Sequence, residues 1–301
     1  MGKLANGSAV QYYYIEEVAG LVPATPAWKA IRFVSAGLTP SINQIDTAEM
    51  NQIRQRQASR GGTYSVTGDI AVELSFASFD DLIQAAMQGT WATNVLKIGK
   101  VERSFAILER HTDINVDYIY RGCRVGAMAI SSPLNAPVGV TFSMLGTKAE
   151  KYTLAVGSTF PAASATDTMI TTNIELTEGG VAVAYATEWS VNLDNGMEAL
   201  FALGSREAFD ISNGVAVVTG SMSAYLVDAV LWDKVLTETS TSHSIKFKEG
   251  LSSYTLVLPK VRYTQGQKQT SGPGAVIPQY TISAGYDSVS ATTMMITRSA
   301  V

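Results

Sequence analysis

The sequence predicts a mainly β protein built from two tandem sheet units, each with one short flanking α-helix. The first observation is a nine-residue phrase, VTGDIAVEL at 66–74, that returns as VTGSMSAYL at 218–226 in a chain of 301 residues. The second is alternation of apolar and polar residues in both halves, and the third is one short helical pattern after each phrase. A repeat at about half the chain length indicates two copies of one unit.

Each copy of the phrase predicts a strand with one buried and one polar face, because successive strand side chains point to opposite sides. The residues expected on the buried side are Val66, Gly68, Ile70, Val72 and Leu74 in the first copy, and Val218, Gly220, Met222, Ala224 and Leu226 in the second. The residues expected on the polar side include Asp69, Glu73, Ser221 and Ser223.

The segment after each phrase predicts a helix. SFDDLIQAAMQG at 78–89 begins with Ser78 as the cap and ends at Gly89, and DAVLWDKVLTET at 228–239 is capped by Asp228. Apolar residues at helical spacing form the stripes expected to pack on the sheet: Phe79, Leu82, Ile83, Ala86 and Met87 in the first helix, and Leu231, Trp232, Val235 and Leu236 in the second.

Strand patterns fill the rest of each half. They lie at 104–110, 117–125 and 138–146, and again at 253–259, 261–266 and 278–285, with a further extended stretch ahead of each phrase. The Pro-bearing segments 131–137 and 271–278 read as equivalent loops. A Ser-, Ala- and Thr-rich hinge near 158–168 separates the halves, so the predicted domains are 1–157, with an N-terminal arm, and 158–301. Units of this size leave strand edges open, and pairing with copies of the chain would close a shared barrel or a ring.

Composition excludes several classes of protein. Apolar residues make up 46% and charged residues 16% of the chain, which suits a protein packed against copies of itself. A net charge of −4 without a cluster of cations argues against a nucleic-acid binder. One cysteine, Cys123, excludes a disulfide framework within the chain and reads as a small buried residue. We see neither an export signal nor a membrane anchor.

The sequence predicts no enzyme, no metal site and no cofactor. His111 and His243 could each act as a general base, but we interpret both as surface histidines at strand ends. With one cysteine and two histidines, one chain cannot close a structural zinc site.

Two polar or aromatic clusters leave alternatives open. The loop 54–60, RQRQASR, could bind phosphates, although a solvated tip or a contact with another subunit is favoured. The aromatic residues Tyr12, Tyr13, Tyr14 and Trp28 could stack on a sugar, and the favoured interpretation is an arm that packs on the sheet.

Two strings of the first half resemble one family. EMNQIRQRQASRGGTYSVTGDIAVELSFASFDDLIQAAMQGTW, at 49–91, closely resembles the tail tube proteins of long-tailed bacteriophages, as does YYYIEEVAGLVPATPAWKAIRF at 12–33. The second half resembles the family in the order of its elements. The resemblance implies a small β-sandwich or barrel with a flanking helix, and rings that stack into a hollow tube through which genome DNA passes.

The resemblance also implies partners and positions. Because the chain holds two units, three chains would complete a pseudo-six-fold ring; the alternatives are six chains with an outer decoration domain, or a carbohydrate- or receptor-binding virion module. Expected partners are further copies and the tape-measure, tail-tip and tail-terminator proteins, with assembly in the host cytoplasm and a final place in the virion tail. The candidates for lining the lumen are Asp69, Glu73, Ser221 and Ser223. The candidates for contact with other subunits or rings are Ile53, Arg54, Arg56, Arg60, Arg206 and Glu207.

Overall fold

The fold is known from a computed structural model that describes residues 4–18, 20–49, 55, 57–267 and 273–299. The described residues form nineteen strands and two α-helices, which confirms the mainly β fold class. Neither helix of the described chain has the length and apolar character that crossing a bilayer requires.

Nine strands and one helix belong to the first half of the chain. They are β1 (Val10–Glu16), β2 (Lys29–Ala30), β3 (Ser35–Ile45), β4 (Arg60–Glu73), α1 (Asp80–Ala86), β5 (Val95–Lys97), β6 (Phe105–His111), β7 (Val116–Pro133), β8 (Gly139–Gly146) and β9 (Lys148–Tyr152). The second half contributes β10 (Ile174–Glu178), β11 (Val181–Ala182), β12 (Ala186–Asp194), β13 (Glu198–Leu200), β14 (Asp210–Ser212), β15 (Val217–Ala224), α2 (Val230–Thr237), β16 (Thr241–Glu249), β17 (Ser252–Gln267), β18 (Gln279–Ala284) and β19 (Met295–Arg298).

The two halves pair their strands in the same order. In the first half, antiparallel pairing joins β1 to β2 and β6, β6 to β7, β7 to β8 and β9, β8 to β4, and β4 to β3. In the second half it joins β10 to β11 and β16, β16 to β17, β17 to β18 and β19, β18 to β15, and β15 to β12. Each pair of the first set therefore has a counterpart in the second. Strand β5 and the β13–β14 hairpin lie outside this correspondence.

Strands of the two halves also pair with one another. Strand β7 pairs with β12 from Ala127 opposite Asp194 to Pro133 opposite Glu188, and β5 pairs with β19. Eight strands consequently lie side by side in the order β3-β4-β8-β7-β12-β15-β18-β17, called the main sheet below. The division of the chain into domains at residue 157 stays a prediction.

One face of the main sheet is buried against a core that both halves share. Ile70 of β4, Leu193 of β12 and Met222 of β15 belong to one cluster of buried side chains with Leu82 of α1 and Leu231 of α2. The expected alternation is present within the strands, since Val66, Ile70 and Val72 are buried in β4 and Val218 and Met222 in β15. Leu226, also expected on the buried side, is exposed because β15 ends at Ala224.

The doubled phrase has a packing reason in the structure. A Cβ atom at Gly68 would lie 1.9 Å from the carbonyl oxygen of Gly37, and one at Gly220 would lie 2.3 Å from that of Ser190. Each glycine faces the strand that precedes it in its own half, β3 or β12. Only glycine permits this close approach, so the two copies retain it at the same place.

Both predicted helices are present, with three corrections to their details. Ser78 does not cap α1: the N-cap is Phe79, which makes no side-chain cap hydrogen bond, and the Ser78 Oγ lies 2.7 Å from the Ser75 Oγ instead. Asp228 is not the N-cap of α2 either: the N-cap is Ala229, whose backbone is already helical and which makes no side-chain cap hydrogen bond. Asp228 lies one residue earlier and accepts a hydrogen bond of 3.0 Å from the Val230 backbone N–H. Leu236 is 67% exposed, because α2 turns its Leu231 side rather than its last turn toward the core.

Two strand limits also differ from the sequence pattern. The predicted loop at 131–137 begins too early, because β7 continues to Pro133 where it pairs with β12. The patterns at 253–259 and 261–266 form one continuous strand, β17.

Candidate functional site

The main sheet turns its second face away from the core, and we call this the polar face. It consists of the positions that alternate with buried residues along the eight strands. Most are small and uncharged; they include Thr67, Ser131, Thr141, Ser143, Ser190, Asn192, Thr219, Ser221, Ser223, Thr281 and Ser283.

All four residues predicted to line a lumen lie on the polar face. Residues directly opposite one another in an antiparallel sheet share a face, so the register can be followed from strand to strand. One such row crosses five strands as Glu73, Gly139, Ser131, Ser190 and Ser221. Asp69 lies four residues before Glu73 on β4, and Ser223 lies two residues after Ser221 on β15. The sequence placed these side chains on two separate strands, and the fold brings them onto one surface.

The charge on the polar face is sparse and of both signs. Asp69, Glu73, Glu188 and Asp194 contribute carboxylates, Arg124 contributes a cation that is paired with Asp210, and Lys260 and Arg262 contribute cations on β17 at the end of the sheet. Such a surface gives the phosphates of a nucleic acid few cations to bind.

Side chains close the seam between β7 and β12, and sequence reasoning missed them. Asn195 is 3% exposed, and its Nδ2 donates hydrogen bonds to the carbonyl oxygens of Ala86 at 2.9 Å and Val125 at 3.2 Å. Arg124 donates from Nη2 to the Asp210 Oδ1 at 2.8 Å. A buried polar group requires such partners, so the seam is specified by more than backbone pairing.

The contact candidates of the first half lie in the hairpin between β3 and β4. Arg60 begins β4 opposite Ile45 and is exposed. Ile53, Arg54 and Arg56 lie outside the described residues. The role of this hairpin between subunits stays a prediction.

The contact candidates of the second half touch the first half of the same chain. The Tyr64 backbone N–H donates to the Arg206 carbonyl oxygen at 2.8 Å, and the Tyr64 hydroxyl donates to the Glu207 Oε1 at 3.3 Å. The Arg206 Nε donates to the Gly62 carbonyl oxygen at 3.2 Å. The loop that carries both residues joins β13 to β14, and this hairpin lies between β12 and β15 in the chain as the hairpin of the first half lies between β3 and β4.

A family model described as phage tail tube protein matches residues 7–287, which is nearly the whole chain and includes both halves. The chain belongs to the phage tail tube protein family. A sequence search of curated proteins returns no significant match. Members of this family are structural components of the virion tail that assemble with copies of themselves and other tail proteins.

The aromatic cluster of this tail tube protein is part of its core. Tyr12, Tyr13 and Tyr14 are each at most 8% exposed, and Trp28 is fully buried. The Tyr13 ring meets Phe160 edge to face at 4.9 Å between centroids. These side chains offer no open stacking surface to a sugar, which confirms the interpretation as an arm packed on the sheet and removes the residues on which the carbohydrate-binding alternative depended.

The two histidines differ in their surroundings, and one prediction about them was wrong. His111 ends β6, with its Nε2 2.8 Å from the Glu109 Oε1. His243 is fully buried within β16 rather than exposed, because its position alternates with the outward side chains of that strand. Cys123 is fully buried, as predicted, and burial raises the pKa of its thiol. Among the described residues, no three His, Cys, Asp or Glu side chains are grouped to hold a metal ion.

His243 serves packing in the tail tube protein and gives it a pH dependence. The Trp189 Nε1–H donates to His243 Nδ1 at 3.4 Å, which leaves the proton on Nε2, 2.9 Å from the Tyr263 hydroxyl. Burial lowers the pKa of His243 from 6.5 to about 4, since the charged ring loses its hydration. In the unfolded chain the His243 ring therefore binds a proton as the pH falls below 6.5, whereas in the folded chain the ring stays neutral until about pH 4.

We expect protonation of His243 in the unfolded chain to lower the free energy of unfolding by about 3 kcal/mol as the pH falls from 7 to 4. Urea denaturation of wild type and His243→Gln at both pH values measures the effect, because the variant keeps every carboxylate but has no imidazole at this position. The variant should lose less stability on acidification. Equal losses in the two proteins would contradict the assignment.

Proposed function

We propose that three copies of this tail tube protein form a pseudo-six-fold ring and that such rings stack into the hollow tube through which genome DNA passes. One observation carries the proposal: each half supplies four strands to a single sheet, joined edge to edge at the β7–β12 seam. A sheet of this kind still has an open edge at each end, and edges that are not blocked pair with a neighbour. Identical chains that pair head to tail close a ring when the rotation allows it.

The repeated pairing order supports a tandem duplication of one tube unit. Strands β3, β4, β8 and β7 correspond to β12, β15, β18 and β17 in order, direction and partner. We assign residues 1–157 to the first unit and 158–301 to the second. Three such chains present six equivalent units, which is the physical basis of the pseudo-six-fold symmetry.

The polar face is our candidate for the wall of the passage. DNA has to slide through a tube without binding to it, and every neutralised phosphate adds affinity that does not depend on sequence. Hydroxyl side chains and the carboxylates of Asp69 and Glu73 avoid this attraction, and Ser221 and Ser223 continue the same surface in the second half. The opposite face is not available for this role, because the core and both helices cover it.

The other parts of the proposal follow from membership of the family. We expect the tube to meet the tape-measure protein in its lumen and the tail-tip and tail-terminator proteins at its ends. Assembly would take place in the host cytoplasm. Arg60 begins β4 at the β3–β4 hairpin, and the loop of Arg206 and Glu207 packs on β4 close to it. Contact with a neighbouring subunit or ring would occur at this end of the main sheet.

The alternative arrangement has six chains per ring, with the second half as an outer decoration. It would place the second half outside the sheet that closes the ring, although β12, β15, β18 and β17 lie within the same sheet as the first half. The equal contribution of four strands from each half favours three chains.

Mass measurement on isolated rings tests the stoichiometry. We expect about 96 kDa per ring, three times the chain mass of 32.1 kDa, together with hollow tubes in negative-stain images. A ring of about 193 kDa would support six chains instead. A particle that remains a single chain at high concentration and never forms tubes would contradict the proposed function.

A further inference from the structure

We propose that the open edge of β3 in one chain pairs antiparallel with the end of β17 in a second copy, in the register that the β7–β12 seam already uses within the chain. The inference rests on the proposed ring and names the surface that closes it. Its partner is a second copy of this protein.

The equivalence of positions comes from the pairing within each half. On β3, Leu38 lies opposite Gly68, and on β12, Val191 lies opposite Gly220, so β3 and β12 align through the two VTG glycines. Strands β7 and β17 each interrupt their pairing with the following strand by one extra residue. The interruption falls between Val125 and Ala127 in β7, and between Tyr263 and Gln265 in β17. The bulge makes Gly126 of β7 equivalent to Thr264 of β17, so the two strands can be aligned by their pairing alone, without comparing their sequences.

The seam within the chain then predicts the seam between chains. Asn192 lies opposite Ala129, and Asp194 lies opposite Ala127. In equivalent positions, Thr39 of one chain faces Gln267 of the next, and Ser41 faces Gln265. Between these two pairs, Pro40 faces Gly266, as Leu193 faces Met128.

Both strand edges are open in the single chain. Thr39 and Ser41 on β3 are exposed, as are Gln265 and Gln267 on β17. Within the described part of the chain, β3 pairs with β4 alone, and residues 265–267 pair with β18 alone. Backbone groups along the second edge of each strand are thus available to another chain.

An arginine marks the same place at both seams. Arg124 lies two residues before Gly126, the extra residue in β7, and reaches across the seam within the chain to Asp210 and to the Ile211 carbonyl oxygen. Arg262 lies two residues before Thr264, the extra residue in β17, and is exposed. Arg262 therefore lies on the strand edge that the second chain would cover, at the position that Arg124 holds at the seam within the chain.

Pro40 makes the seam between chains weaker than the seam within the chain. The Asn195 N–H donates to the Gly126 carbonyl oxygen at 2.9 Å, and the alternation of antiparallel pairing then makes Leu193 and Met128 a hydrogen-bonded pair. Pro40 takes the place of Leu193 and has no N–H to donate. Proline at a strand edge weakens pairing with other chains. Isolated subunits would therefore join only when the other hydrogen bonds and side-chain contacts of the seam form at the same time.

A cysteine pair tests the register. Thr39→Cys with Gln267→Cys places two thiols at a non-hydrogen-bonded antiparallel position, where Cα atoms lie about 4.5 Å apart and a disulfide can form. The internal control is Asn192→Cys with Ala129→Cys, the equivalent pair within one chain. The off-register control is Thr39→Cys with Gln265→Cys, whose Cβ atoms would lie about 7 Å apart or more. Native Cys123 is buried and stays in all variants.

Oxidised rings are then separated on a non-reducing denaturing gel. We expect the Thr39–Gln267 variant to shift from monomer to linked dimer and a closed trimer, which is the limiting species. The internal control should close its disulfide without leaving the monomer position, and the off-register variant should stay monomeric. A mixture of the two single-cysteine variants should give dimers alone, which shows that the link joins different chains.

The outcomes separate this inference from the function on which it rests. Rings that assemble while the on-register pair fails to link, with the internal control closed, would overturn the register and leave the tube function standing. Linking by the off-register pair as readily as by the on-register pair would overturn it as well. Wild-type protein that never forms rings would overturn the proposed function and the inter-chain seam together.

Discussion

Gly68→Ala is expected to destabilise the protein by about 3 kcal/mol or more, and to lower its soluble yield. The added methyl group would lie 1.9 Å from the Gly37 carbonyl oxygen, and a backbone atom cannot rotate away as a side chain can. Strand β3 would have to separate from β4, which would open the edge of the main sheet. Gly220→Ala should act in the same way in the second half, where the corresponding distance is 2.3 Å to the Ser190 carbonyl oxygen.

Gly37→Ala is the matched control for this prediction. Gly37 lies on the neighbouring strand, and an added Cβ there would meet no atom within 4 Å. Urea denaturation of the three variants should show a large loss for positions 68 and 220 and a change within about 0.5 kcal/mol for position 37. Equal stability of Gly68→Ala and Gly37→Ala would mean that close strand approach is not the reason for the repeated phrase.

Asp69→Lys combined with Ser221→Lys is expected to turn a passage that does not bind DNA into one that does. The two substitutions add three positive charges per chain to the polar face, so a ring of three chains gains nine. Contacts with six to ten phosphates lose about 10³-fold or more in affinity between 50 and 200 mM salt, and we expect the retained DNA to show a dependence of that size. Ring assembly should persist, because neither side chain lies on the buried face or at the predicted seam.

The location of bound DNA decides whether the polar face is the lumen. Asp233→Lys with Thr239→Lys adds the same charge at exposed positions within and just after α2, on the other side of the sheet. Tubes assembled with short duplex DNA, washed and treated with nuclease should protect DNA in the polar-face variant and in neither the wild type nor the α2 variant. Protection by the α2 variant instead, or DNA on the polar-face variant that nuclease removes, would contradict the assignment.

Local sequence patterns predicted the main strands and both helices of this chain. Alternation in the two VTG phrases identified the buried sides of β4 and β15, and the apolar stripes located α1 and α2. These features depend on neighbours in sequence, which is why a single sequence predicts them. The family emerged from the segments around 12–33 and 49–91, and the match over residues 7–287 confirms it.

Predictions failed where a distant residue decides the outcome. Ser78 has the right chemistry for a helix cap, but its hydroxyl is engaged by Ser75, so the cap position passes to Phe79. His243 looks polar in its local context, yet β16 turns it inward toward Trp189 and Tyr263, whose hydrogen bonds satisfy both ring nitrogens. Sequence spacing contains no information on partners that lie 20 to 54 residues away.

The sequence by itself pointed to the tail tube family, to its mainly β fold and to the buried side of strands β4 and β15. Only the tertiary structure decided that β12 pairs with β7, that Asn195 and Arg124 close the seam, and that Asp69, Glu73, Ser221 and Ser223 share one surface. The physical reason is the range of the interactions. A strand's periodicity follows from its own covalent geometry, whereas its neighbours are chosen by hydrogen bonds and packing between segments far apart in the chain.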